Sequence, residues 1–144
     1  MMKIREVMSS PVVRISPEES VSVASRTLTH YNIGAVPVCG ADGKLCGMLT
    51  DRDIVTRCLA AGKIPGQTKV REVMSSGISV VRPDMEAETA AALMSSKQIR
   101  RLPVMENGRL CGIVSLADLA LHKNADVKTG EVLAQISSGV SSRE

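Results

Sequence analysis

Apolar positions along the chain recur at two spacings, and each pattern occurs twice. Val21, Ala24 and Leu28 stand three and four residues apart, which places them on one helical face and predicts a helix from about Ser20 to Tyr31. Ala87, Ala90, Ala91 and Met94 repeat that spacing. The runs Ile33 to Cys39 and Leu45 to Leu49 are short, apolar and separated by Gly40-Ala41-Asp42-Gly43, the pattern of a β-hairpin. A counterpart ends in Leu110 to Val114 after the turn Glu106-Asn107-Gly108. Before each helix lies a brief extended segment, Val12 to Ile15 or Ile78 to Val81, which the following Pro17 or Pro83 should halt as it opens the helix. Each half therefore reads strand-helix-strand-strand-helix, an α/β (α+β) unit with a one-sided sheet that needs a partner.

The halves are copies. Lys3 to Ser10 and Lys69 to Ser76 agree at seven of eight positions at an offset of 66. The same offset places Pro17 on Pro83, Ala24 on Ala90, Ile33 on Ile99 and Pro37-Val38 on Pro103-Val104. One residue is lost in the turn, after which Leu45-Cys46-Gly47 meets Leu110-Cys111-Gly112 and Asp53 meets Asp118. A tandem duplication sets the organisation of the chain.

Composition narrows the chemistry. The 144 residues contain no Trp or Phe and one tyrosine, Tyr31, so the core must be aliphatic. A net charge of +3, with no basic stripe interleaved with aromatics, gives no reason to expect nucleic acid as a partner. No 18 apolar residues run together, so a cytoplasmic protein without a membrane span is expected. Cys39, Cys46, Cys58 and Cys111 form no Cys-x-x-Cys pair and the two histidines are far apart, so no metal site is expected. Cys46 and Cys111 suit small buried positions, and a redox pairing of Cys39 with Cys46 across the hairpin is the weaker reading.

The chemistry that stands out lies at two strand ends. Gly47-Met-Leu-Thr-Asp-Arg-Asp53 and Gly112-Ile-Val-Ser-Leu-Ala-Asp118 each finish an apolar strand on a hydroxyl, with a carboxylate three residues later. One such box is an ordinary helix cap. Two in register present a hydroxyl and a carboxylate side by side at equivalent corners.

With Val-Met-Ser-Ser at each start, Ile-Gly-Ala-Val-Pro-Val and Ile-Arg-Arg-Leu-Pro-Val in the second strands, and the two strand-end boxes, the chain resembles a tandem pair of cystathionine-beta-synthase (CBS) domains. The likeness covers Lys3 to about His122, and its first half is especially similar to a stand-alone actinobacterial member of that family. The resemblance implies two CBS domains, residues 8–65 and 74–132, packed about a pseudo-twofold axis, with a flexible tail at 133–144. It also implies a regulatory module without catalysis, binding an adenosyl ligand (AMP, ADP, ATP or S-adenosylmethionine) between repeats and signalling to a separate protein. Carried over by position, one cleft uses Ser115 and Asp118 for ribose, Pro11, Val12 and Ile33 around the base, and Arg100 with Arg101 for phosphate. The other uses Thr50 and Asp53 for ribose and Ile78 with Ile99 around the base, but Gly34 and Ala35 stand where the arginines would be. One nucleotide per chain, in the Arg100/Arg101 cleft, is the expectation, with the Thr50/Asp53 cleft taking a neutral nucleoside or staying empty.

The residues leave two alternatives to a ligand-binding module. A homodimer through the helices is expected, with Val55, Leu59, Leu116, Leu119 and Ala120 as its apolar surface, and a structural or dimerisation protein with vestigial pockets, possibly stress-induced, is the second reading. An enzyme is disfavoured, because no nucleophile elbow, phosphate loop or histidine cluster is present; Asp51 and Asp53 are read as solvated caps. A short helix is expected at Glu131 to Ile136, before a frayed end.

Overall fold

The computed structural model describes residues 2–10 and 12–121; the predicted helix at Glu131 to Ile136, the tail at 133–144 and Pro11 lie outside them. The chain forms two compact units, Val13–Ile78 and Met1–Val12 with Ser79–Glu144. Both are mixed helix and strand, each built on a two-stranded antiparallel sheet.

In the first unit, helix α1 (Val21–Tyr31) starts where Ser20 Oγ accepts the Val23 N–H at 3.1 Å and buries Val21, Ala24 and Leu28. Asn32, at φ +53°, ends it in the left-handed region that a C-terminal cap uses. Strands β1 (Ala35–Cys39) and β2 (Leu45–Thr50) pair as the predicted hairpin. Helix α2 (Asp51–Asp53) continues as a π-helical stretch, Ile54–Leu59, in which the Ala60 N–H reaches back five residues to the Val55 carbonyl at 2.8 Å. The second unit repeats this with α3 (Ala87–Lys97), β3 (Arg101–Glu106), β4 (Arg109–Ser115) and α4 (Leu116–Ala120).

The expected leading strands reduce to one rung each. Ile15 bridges Val38 and Val81 bridges Val104, both parallel. The Ile15 N–H donates to the Pro37 carbonyl at 3.1 Å and the Cys39 N–H to the Ile15 carbonyl at 2.9 Å. The ladder cannot grow, since the next N–H on either side would belong to Pro37 or Pro17, and proline has none. Pro103 and Pro83 impose the same limit in the second unit. The prolines also do not open the helices; these begin four residues later, at Val21 and Ala87.

The duplicated motif docks on the body of the other repeat. Lys3 to Ser9 lies with residues 79–121, and Lys69 to Ser75 with residues 13–65. Ile4 and Val7 sit in the core of Val81, Ala90, Met94, Leu102, Val104 and Leu119. Val70 and Val73 sit in that of Val21, Leu28, Val36, Val38 and Leu49. Each motif makes a single 3-10 turn, Ile4–Glu6 or Val70–Glu72, in which the glutamate reaches back to accept the Lys3 or Lys69 N–H, at 2.7 and 2.8 Å.

Main-chain bonds then fasten the motif at two places. The Ile4 N–H donates to the Met85 carbonyl and the Ala87 N–H to the Met2 carbonyl, both at 2.8 Å, on the start of α3; Val70 with Glu19 and Val21 with Thr68 repeat this on α1. At the other end Ser9 exchanges both bonds with Ile113 on β4, and Ser75 exchanges both with Met48 on β2. Lys69 and Arg71 add exposed ion pairs to Glu18, at 2.8 and 3.2 Å, of the kind that contributes little to stability.

The close approach explains the glycine before each strand centre. A Cβ on Gly47 would run into the main-chain carbonyl oxygen of Ser75, whereas one on Gly112 would meet the Met8 sulfur at 2.5 Å and the Ser9 oxygen at 3.2 Å. A thioether can swing aside and a docked main chain cannot. Urea unfolding is therefore expected to show Gly47→Ala destabilising the fold by about 2 to 3 kcal/mol and Gly112→Ala by about 1 kcal/mol, the range for overpacking with and without a yielding neighbour.

Candidate functional site

Both strand-end boxes form the corner the sequence predicts. Thr50 Oγ1 accepts the Asp53 N–H at 3.0 Å while Asp53 Oδ2 accepts the Thr50 N–H at 3.0 Å. Ser115 and Asp118 make the same exchange at 3.0 and 2.8 Å. Each corner is pinned to the preceding hairpin, the Asp51 N–H donating to the Gly34 carbonyl at 3.0 Å and the Leu116 N–H to the Arg100 carbonyl at 2.8 Å. A carboxylate has two oxygens with about four acceptor positions, so the capping exchange uses only part of each.

What remains of the carboxylate differs between the two. Asp53 is 8% exposed, not the solvated cap the sequence implies. Its Oδ1 faces Ser75 Oγ at 3.5 Å and the Arg57 guanidinium, whose Nε is 3.8 Å away. Arg57 also donates to the Met74 carbonyl at 3.1 Å and the Val73 carbonyl at 3.4 Å, so one side chain ties the carboxylate to the docked motif. Asp118 is half-buried, and among the described residues no side chain bonds its Oδ1. Ser75 and Arg57 were not among the sequence candidates, although Arg57 stands four residues after Asp53, the spacing at which helical charges meet.

The arginines divide. Arg101 is half-buried and pairs with Ser115 across the β3–β4 ladder, which puts both side chains on one face of the sheet. Arg100 precedes the strand and is exposed. Ala35 takes the place of Arg101 opposite Thr50. Ser115, Asp118, Arg100, Arg101, Ile99 and Val12 belong to one unit; Thr50, Asp53, Ile33 and Ile78 belong to the other. Ile33 and Ile99 are half-buried and pack against the core of their own unit.

Other expectations meet the structure as follows. Leu116 and Leu119 are 3% and 0% exposed, because they fill the core beneath α4, and so offer no surface for a dimer; Val55 and Leu59 are more than half exposed. Cys39 is buried, which pushes its thiol pKa up and away from the reactive thiolate, and Cys46 and Cys111 are half-buried. Among the described residues no group of three or more His, Cys, Asp or Glu is placed to hold a metal ion, and no helix is long and apolar enough to cross a membrane.

Known proteins resemble this chain in sequence and fold. The CBS domain family model matches residues 4–60 and again 70–123. The CBS domain-containing protein YhcV of Bacillus subtilis is 41% identical over 137 residues, 95% of this chain and 96% of that one. Hypoxic response protein 1 of Mycobacterium tuberculosis is 38% identical over 118 residues, 82% of each. A crystal structure of Hypoxic Response Protein I with two coordinated zinc ions superposes with a TM-score of 0.79 at 37% identity, covering 84% of this chain and 98% of that one. The CBS domain pair of protein MJ0100, in complex with 5′-methylthioadenosine and S-adenosyl-L-methionine, gives a TM-score of 0.76 at 26% identity over 84% of this chain and 94% of its own.

The unequal surroundings of the two carboxylates should register in stability. Asp118→Ala removes one cap and is expected to cost about 1 kcal/mol in urea unfolding. Asp53→Ala also removes the carboxylate that Ser75 Oγ and the exposed Arg57 guanidinium face, and about 2 kcal/mol is expected.

Proposed function

The chain belongs to the CBS domain family as a tandem pair, a regulatory module, and we propose that its function is to bind an adenosyl ligand such as AMP, ADP, ATP or S-adenosylmethionine at the Ser115/Asp118 corner and to signal that binding to a partner protein. The observation that carries this reading is the carboxylate of Asp118. One oxygen is held in place by the Ser115 N–H, while no described side chain bonds the other. A carboxylate fixed in this way can accept the two hydroxyl protons of a ribose diol without first giving up a partner. Ser115 beside it offers a hydroxyl oxygen, and Arg101, opposite Ser115 on the ladder, supplies a cation for a 5′-phosphate. Val12, Pro11 and Ile33 are the residues proposed to wall the base, with no aromatic among them, so base stacking worth about 1 to 3 kcal/mol is forgone and the proposed affinity is modest. The adenosyl ligands of the MJ0100 domain pair support the ligand class.

At the Thr50/Asp53 corner, with Ile78 and Ile99, the same diol chemistry is drawn but no arginine stands in the strand, and a phosphate would go unpaired. The second reading, a dimerisation protein with vestigial pockets, is favoured by one observation: Val55, Leu59 and Ile64 are 55%, 54% and 58% exposed on the first unit.

Calorimetry and thermal melting with AMP, ATP and S-adenosylmethionine decide between them, since a ligand that binds only the folded chain must raise its melting temperature. One site per chain is expected, with 2′-deoxyadenosine 5′-monophosphate bound at least tenfold more weakly than AMP. Asp118→Asn should lower AMP affinity about 10- to 100-fold, the equivalent of one lost charge-assisted hydrogen bond. Full affinity in Asp118→Asn would refute the assignment of the corner, and a dimer that no adenosyl compound stabilises would favour the second reading.

A further inference from the structure

Arg57 sets the two corners apart in a way the duplication does not require. Both boxes carry the same hydroxyl-carboxylate exchange, yet among the described residues only in the first unit does a side chain of the chain itself lie against the second carboxylate oxygen. The guanidinium stands 3.8 Å from Asp53 Oδ1 and spends one of its terminal nitrogens on the carbonyls of Met74 and Val73, with Ser75 Oγ filling the rest of the oxygen's reach at 3.5 Å. Positive charge, donor hydrogens and a planar fork are what a carboxylate seeks in a partner. They are also what a ribose diol, a neutral and weaker donor, would have to displace. The position equivalent to Ser75 is Ser9, for which no bond to Asp118 exists among the described residues, and the residue four beyond Asp118 is His122, outside them.

We propose that Arg57 is an internal occupant of the Thr50/Asp53 corner that closes it to ribose diols, so that the chain takes up one adenosyl ligand, at Asp118, rather than two. Arg57 is thus a specificity-determining residue: it fixes stoichiometry by holding the carboxylate of an otherwise equivalent site. The missing arginines at Gly34 and Ala35 would bar only phosphates from this corner, while Arg57 bars neutral nucleosides as well. The inference rests on the adenosyl reading of the Asp118 corner and adds to it the state of the other one.

Adenosine is the probe, because it carries the diol and no phosphate. Calorimetry on the full chain should give one site for the natural sequence, none for Asp118→Asn, two for Arg57→Ala and one for the double variant Arg57→Ala with Asp118→Asn. Arg57→Gln, whose amide can still donate to the Met74 carbonyl, is carried alongside in case the alanine loosens the docked motif, and should give the same counts; melting without ligand confirms that each variant is folded. Two sites in the natural chain, or a double variant that stays empty while the natural chain binds one adenosine, would overturn the role of Arg57 and leave the Asp118 reading standing. Should none of the five proteins bind adenosine or AMP, the adenosyl reading itself fails, and this inference with it.

Discussion

The docking of each leading motif on a strand of the opposite repeat's body is the contact on which the rest depends. A two-stranded hairpin alone is marginal, and a unit this small needs every apolar contact it can bury. Ile4 and Val7, or Val70 and Val73, supply the missing apolar contacts, and the main-chain exchange of Ser9 with Ile113 and of Ser75 with Met48 gives each hairpin a neighbour along its open edge. The contact works because β2 and β4 carry glycine where the motif passes closest. At Gly47 the approach is main chain to main chain, and no side chain can be fitted between.

The same contact shapes the candidate site. By bringing Met74 and Ser75 beside the end of β2, docking gives Arg57 the carbonyls it bonds and gives Asp53 a hydroxyl neighbour. A duplicated unit has thereby produced two corners with one backbone geometry and different electrostatics. In one the carboxylate is buried and internally partnered; in the other it is half-exposed, with an arginine across the ladder. The wide π-type turns from Ile54 to Leu59, at the segment that carries Arg57, follow the box in the first repeat only among the described residues, and irregular turns of this sort are common beside functional groups.

Much of this is legible in the residues. Periodicity locates α1 and α3, the Gly-bearing turns locate both hairpins, and the strand-end boxes form as capping chemistry requires. The extended leading segments are harder to read, because whether they join the sheet depends on which N–H groups face it, and Pro17 and Pro37 remove two of them together. The exchange of motifs is not legible at all from adjacency, since Lys3 to Ser9 is followed in the chain by the body it does not join. That omission propagates: without Ser75 and the Met74 carbonyl in place, nothing singles out Arg57, and Asp53 reads as a solvated cap. Leu116 and Leu119 fail for a related reason, because an apolar pair on a short helix looks the same whether it faces solvent or a core filled from elsewhere.

Motif exchange also bears on the order in which the chain can assemble. The Val13–Ile78 unit is one unbroken stretch, and its Met48–Ser75 contact closes a short loop that a nascent polypeptide can complete as soon as that stretch is available. Its sibling must bring Ser9 to Ile113, a loop roughly four times as long whose sequence includes the whole first unit, at about 1 kcal/mol more closure entropy. Ser9 thus has no strand to pair with until residue 113 has been made.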